Sequence, residues 1–160
     1  MRLYIETSVI GFWFDRLKRN RDKRRSTRRF LVLCRRGIHQ GFVSNLVVDE
    51  IKDSPDPFRS RDLALVARLK LPLLPFDREV FAHLFDGYRE VPILRRLPEA
   101  DLEHLALFGA SDAEGLATWN LSHLTNQVNL EAVRKVNHAQ GIEKELRVAP
   151  PEAFIPPGPA

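Results

Sequence analysis

Short, dense apolar runs alternate along this chain with stretches whose apolar residues recur at helical spacing, which predicts an α/β domain with a mainly parallel sheet. Leu3-Tyr4-Ile5, within residues 2–6, reads as a first strand buried on both faces. Thr7 and Ser8 offer N-cap hydroxyls to a helix carrying Val9, Ile10, Phe12, Trp13 and Phe14. Residues 18–25 read as a loop or a frayed helix start. A longer helix over about 26–39 puts Phe30, Leu33, Cys34 and Ile38 on one face, with Gly37 or Gly41 near its end. Gly41 to Ser44 predicts a second short strand, and Asn45 the cap of a helix bearing Glu50, broken by Ser54-Pro55-Asp56-Pro57.

The second half repeats the alternation. Residues 59–70 predict an amphipathic helix through Leu63, Val66 and Leu69. Leu71 to Phe76 predicts a strand that its two prolines confine to a sheet edge. Asp77 caps a helix through Val80, Phe81, Leu84, Phe85 and Tyr88, and Pro98 begins another that carries Asp101. Gly115 to Trp119 predicts a central strand. Asn129 caps a helix to about Gln140, ended by Gly141, and Leu146 to Val148 is a last short strand. One domain over residues 1–149 is expected, followed by a Pro-rich tail, 150–160, extended or disordered at its end.

Composition narrows the class. A hydrophobic content of 44% argues against global disorder. No apolar run approaches the roughly 18 residues needed to span a bilayer, and Glu6 interrupts the start where a signal peptide needs continuous apolar residues. The single cysteine, Cys34, allows no internal disulfide, so a cytoplasmic location is expected. Cys34 lies in an apolar run and reads as a buried, inert thiol.

Net charge is only +4, but it is unevenly spread. Arg16, Lys18, Arg19, Arg21, Lys23, Arg24, Arg25, Arg28, Arg29, Arg35 and Arg36 crowd one segment, against the single acid Asp22. Such a block suits a polyanion, whether nucleic acid or an acidic protein, or else forms a solvated helix face. Its Arg content favours phosphate contact, because the guanidinium fork matches phosphate oxygens. Arg19, Arg21, Lys23, Arg24 and Arg25 are the candidate RNA-binding residues.

Three acids stand at the ends of apolar elements: Glu6 after Leu3-Tyr4-Ile5, Glu50 after Leu46-Val47-Val48-Asp49, and Asp101 before Leu102. Asn120 closes Leu116-Ala117-Thr118-Trp119. Carboxylates so placed cost desolvation energy unless something compensates them, and one divalent cation can compensate several. Convergence of these four would build a hard-metal site of the kind that hydrolyses phosphodiesters. Thr7, Ser8 and Thr118 are hydroxyls able to orient the acids, with Ser8 expected as a plain helix cap. His104 shares the helical face of Asp101 and is expected first as a half-buried structural histidine, the alternative being a bond to a neighbouring carboxylate or to phosphate. His39, His83, His123 and His138 show no metal-ligand spacing, and Asn126 is at most a supporting residue. Asp49, Asp112 and Glu114 are the acids most easily confused with site residues.

With those residues in order, the chain resembles the PIN-domain family, and within it the VapC-like toxin ribonucleases. The resemblance spans roughly residues 2–154 and rests on Tyr4-Ile5-Glu6-Thr7-Ser8-Val9-Ile10, Val47-Val48-Asp49-Glu50-Ile51, Asp101-Leu102-Glu103-His104-Leu105-Ala106, and Leu116-Ala117-Thr118-Trp119-Asn120 with His123-Leu124-Thr125-Asn126. It implies a PIN-like fold, a small parallel sheet of four or five strands flanked by helices on both faces. It also implies Mg²⁺- or Mn²⁺-dependent RNA cleavage by a homodimer, and an antitoxin protein as partner. Glu6, Glu50, Asp101 and Asn120 become the catalytic candidates. Glu6 and Asp101 are the expected direct or water-bridged metal ligands, with Glu50 holding metal waters or a second ion. Glu6 stands where most members carry Asp, and Asn120 where many carry a fourth Asp, as in a branch with Glu first and Asn late. The alternative expectation is a weakly active or inactive PIN-like module that grips RNA or a protein through its basic segment.

Overall fold

The computed structural model describes residues 1–157. Its strands are β1 (Arg2–Ile5), β2 (Gln40–Phe42), β3 (Gly115–Ala117) and β4 (Val148–Ala149). They form one all-parallel sheet in the order β2-β1-β3-β4. Parallel neighbours need crossover connections. Helices α1 (Thr7–Phe12) and α2 (Arg21–Arg35) join β1 to β2. Helices α3 (Asn45–Asp53), α4 (Phe58–Leu69), α5 (Arg78–Glu90) and α6 (Glu99–Gly109) join β2 to β3, and α7 (Gln127–Ala139) joins β3 to β4. The expected α/β fold, a small parallel sheet flanked by helices, is therefore present.

Leu3, Tyr4, Ile5, Leu116 and Ala117 are fully buried, which explains why the two central strands read as unbroken apolar runs rather than alternating ones. Gly115 has a packing reason. A Cβ there would come within 2.6 Å of Phe154 Cε1 and 3.0 Å of Leu3 Cδ2. The chain leaves β1 toward β2 on one side and returns later as β3 on the other, so the strand order reverses between β1 and β3. In open α/β sheets that reversal is where ligands enter, beyond the carboxyl ends of the strands.

Several boundaries differ from expectation, each for a local reason. Helix α2 begins at Arg21, after a 3₁₀ turn at Lys18–Asn20, so of the two expectations for 18–25 the helix start holds and the loop does not. It ends in a Schellman motif: Gly37, at φ +76°, donates to Cys34 O, and Ile38 donates to Leu33 O. Ile38 thus falls outside the helix and is exposed. The cap of α3 is Ser44, one residue before Asn45, and the cap of α7 is Asn126 rather than Asn129. In both cases the capping side chain accepts a backbone N–H of the first turn. Leu71–Phe76 makes only isolated bridges, Val43 with Leu73 and Phe76 with Ser111, because the prolines remove ladder donors. β3 stops at Ala117, and the last strand is Val148–Ala149, shifted from Leu146–Val148.

Past Pro150, residues Pro151–Phe154 form a 3₁₀ turn with Pro151 and Phe154 buried. The Phe154 ring lies 6.1 Å from that of Phe30 on α2, and His39 Nε2 is 2.7 Å from Phe154 O. This part of the tail is packed; the expectation for its extreme end concerns residues 158–160, outside the described residues. Among the described residues no helix is long and apolar enough to cross a membrane.

Candidate metal centre

Glu6 follows β1 and serves as the N-cap of α1, accepting from Ser8 N at 3.1 Å. Its own N–H continues the ladder to Ala117 O at 3.1 Å. The register Ile5–Ala117 thereby sets Glu6 opposite Thr118, whose hydroxyl donates to Glu6 Oε2 at 2.8 Å. Ser8 Oγ also donates to Oε2 and accepts from Trp119 N at 2.9 Å. Ser8 is therefore not a plain cap. It ties the end of β1 to the end of β3, and the capping is done by the acid itself.

Glu50 reaches the same place from the last half of α3. Its Oε2 accepts from Thr7 Oγ1 and lies 3.0 Å from His104 Nε2. His104 Nε2 is also 4.0 Å from Glu6 Oε1. One ligand atom each from Glu6, Glu50 and His104 lies within 4.8 Å of the other two, close enough to hold a metal ion. Glu6 is 7% exposed and His104 1%, while the Glu50 side chain is 31% exposed and gives the centre its access to water. Burial alone would push the Glu50 carboxyl up, but hydrogen bonds from His104 and the Thr7 hydroxyl outweigh it and hold it below its ordinary value.

Asp101 stands beside this group. It lies in the first turn of α6, where the helix dipole favours a negative charge. Oδ1 accepts from Asn120 Nδ2 at 3.0 Å, and Oδ2 is 2.7 Å from His123 Nδ1. Asn120 N donates to Thr118 Oγ1 at 2.9 Å, so Asp101 connects to Glu6 through Asn120 and Thr118. Of the four residues picked out by sequence, Glu6, Asn120 and Asp101 are joined by hydrogen bonds through Thr118, and Glu50 approaches Glu6 through His104. The tightest set within it, however, replaces Asp101 by His104.

His104 is not the half-buried structural histidine of one sequence expectation; it is fully buried and bonded to Glu50, the other expectation. Tyr4, Ser44 and His123 escaped the sequence reading. Tyr4 Oη lies 2.6 Å from His104 Nδ1 and 2.8 Å from Ser44 Oγ. The signal for Tyr4 was a phenol inside a fully apolar strand, which must find a polar partner when buried. Burial pushes that phenol well above its ordinary value, so it stays protonated. His123 had no such signal, because its partner is reached only through the turn after β3. Asn126 is a helix cap. Asp49 is exposed beside Lys52, while Asp112 and Glu114 bind Arg2 at the opposite, amino-terminal end of β1.

Of the basic candidates, Lys23 lies against the residue before Asn120: its Nζ is 5.3 Å from the centroids of both Phe12 and Trp119. Trp119 immediately precedes Asn120, and its Nε1 donates to Thr27 on α2 at 2.8 Å, which anchors the basic helix there. Arg24 instead donates to Asp15 O at 2.6 Å, and Arg25 lies 3.5 Å from Asp22. Arg19, Arg21 and Arg25 are exposed.

Among the described residues, none of Glu6, Glu50 and Asp101 pairs with a Lys or Arg. Partly or fully buried carboxylates without a Lys or Arg partner are the oxygen-rich donor set that a hard divalent cation takes, so the residues present fit such an ion. No family model, curated protein or solved structure matches the chain.

Proposed function

We propose that this protein is a Mg²⁺- or Mn²⁺-dependent endoribonuclease of the PIN-domain kind. On this reading it is the toxin of a type II toxin–antitoxin pair, a cytoplasmic homodimer held in check by an antitoxin. One observation carries the nuclease reading: acids from three separate elements gather at the reversal point of a parallel sheet with no Lys or Arg among the described residues paired to them. The toxin, antitoxin and dimer parts rest on the four motifs named above.

A bound divalent ion would supply Lewis-acid activation of the phosphodiester and a water of lowered pKa. Glu6 and Glu50 would hold it. Thr118, Ser8 and Thr7 orient those two carboxylates by donating to them. Asp101, fixed by Asn120 and His123, would orient water on the other side of Thr118. Lys23, with the exposed Arg19, Arg21 and Arg25 on the same segment, would bind backbone phosphates.

A second reading, an RNA- or protein-binding module that does not cut, is favoured by the commitment of both Asp101 oxygens to Asn120 and His123. Incubation of mixed RNA with the protein and Mg²⁺ or Mn²⁺, beside EDTA and Glu6→Gln controls, separates the two. Cleavage that vanishes in both controls supports the enzyme. RNA retention without cleavage, weakened by Lys23→Glu, supports the module and ends the nuclease proposal.

A further inference from the structure

Every polar atom of the His104 ring has a partner, and the chain of partners has a direction. Nε2 faces Glu50 Oε2 at 3.0 Å, and that oxygen, as carboxylate, can only accept. Nε2 therefore carries the hydrogen. Nδ1 of the neutral ring is then an acceptor, and the group 2.6 Å from it is the Tyr4 hydroxyl. Tyr4 has one hydrogen, which goes to Nδ1, so it accepts from Ser44 Oγ at 2.8 Å. Ser44 Oγ is free to donate there because its acceptor side takes the Val47 N–H at 3.2 Å as the cap of α3. Each link is consistent with the next, and Tyr4, Ser44 and His104 are all buried.

The opposite arrangement would put a bare Nε2 lone pair against two carboxylates in the metal-free protein. It would also turn the Ser44 hydrogen away from Tyr4, its buried side-chain partner among the described residues. The same cluster could hold an ion through all three side chains or through oxygens alone, and the hydrogen-bond direction distinguishes them. We infer that His104 is a positioning residue: held as the Nε2–H tautomer by Tyr4 and Ser44, it orients the Glu50 carboxylate by donation and leaves a divalent ion to oxygen ligands. The ion-binding half of this inference rests on the function proposed above; the tautomer does not.

The arrangement has a structural logic. Tyr4 comes from β1, Ser44 from the cap of α3, and His104 from α6. The chain of hydroxyls fixes ring orientation without bringing a charge near the acids. Groups that orient a metal's carboxylates in this way typically matter about 10- to 100-fold in metal affinity when removed.

The test reads His104 directly. ¹⁵N-histidine NMR of the whole chain, with His104 assigned by His104→Gln, reports which ring nitrogen bears hydrogen, without Mg²⁺ and then at saturating Mg²⁺. The expected pattern is Nε2–H in both states. Tyr4→Phe, which keeps ring packing but removes the donor to Nδ1, should mix the tautomers and weaken Mg²⁺ binding about 10-fold by calorimetry. His104→Gln keeps an amide donor for Glu50 and should bind Mg²⁺ more tightly than His104→Ala. An Nδ1–H or doubly protonated ring in the metal-free protein overturns the inference, as does a switch to Nδ1–H when Mg²⁺ saturates. Should Mg²⁺ not bind at all, the ion proposal fails while the metal-free spectrum still decides the role of His104.

Discussion

The Thr118 hydroxyl meets the Glu6 carboxylate at 2.8 Å across 112 residues of chain, from the position that parallel register sets opposite it. The same oxygen accepts the Asn120 N–H at 2.9 Å. Thr118 is fully buried, and Glu6 Oε2 has one other donor beside it, Ser8 Oγ. Thr118→Val keeps the shape, removes one of the two hydroxyl donors to Glu6 Oε2 and strands the Asn120 amide. We expect a loss of about 1–3 kcal/mol in urea unfolding, with Thr118→Ser near wild type. Equal stability of the Val and Ser variants would show the hydroxyl to be dispensable.

Glu50 gives the centre a pH dependence with a definite sign. Its net pKa lies below the ordinary value of 4.5 in the fold, because the donors around it outweigh the effect of burial. A carboxyl depressed on folding stabilises the protein above its unfolded pKa and loses that contribution as pH falls through the folded value. The metal-free wild type should therefore lose stability more steeply than Glu50→Gln as pH drops below about 5. Urea midpoints measured across that range check it; two parallel curves would contradict the assignment.

Cys34 should be chemically silent. It is 8% exposed, and burial pushes its thiol up to about 12. Alkylation by iodoacetamide at about pH 8 should be slow in the native protein and fast once it is unfolded, since thiolate is the reactive form. Rapid native labelling would mean that the α2 face opens readily.

Phe154 ties the Pro-rich tail to the domain. It fills the space that Gly115 leaves open, beside Phe30. Phe154→Ala should cost about 3–5 kcal/mol, the usual range for a buried phenylalanine. A loss below about 1 kcal/mol, in the range of surface substitutions, would place the tail outside the cooperative unit.

Much of the frame was legible in the order of residues. β1 and β3 are unbroken apolar runs because both faces are buried, and Asp77 announces α5 by capping it. Caps were misplaced by a few residues where neighbouring side chains compete for the same donors. Ser44 beside Asn45, and Asn126 ahead of Asn129, are chemically equivalent candidates until the backbone turn selects one. Glu6 as cap was invisible for a different reason: hydroxyls followed it immediately, and their role as ties to β3 exists only after the strands pair.

The chain by itself determined that acids end several apolar elements, since burial pattern and charge are both written in local composition. Which of those acids meet was decided by the parallel register and the crossing of α3 and α6. These brought Glu50 and His104 to Glu6 and gave Asp101 to Asn120 and His123. Hydrogen bonds of about 3 Å depend on orientation across distant segments, and linear spacing carries no information about that. The buried Tyr4–Ser44 link, and with it the direction of the His104 ring, came from packing alone.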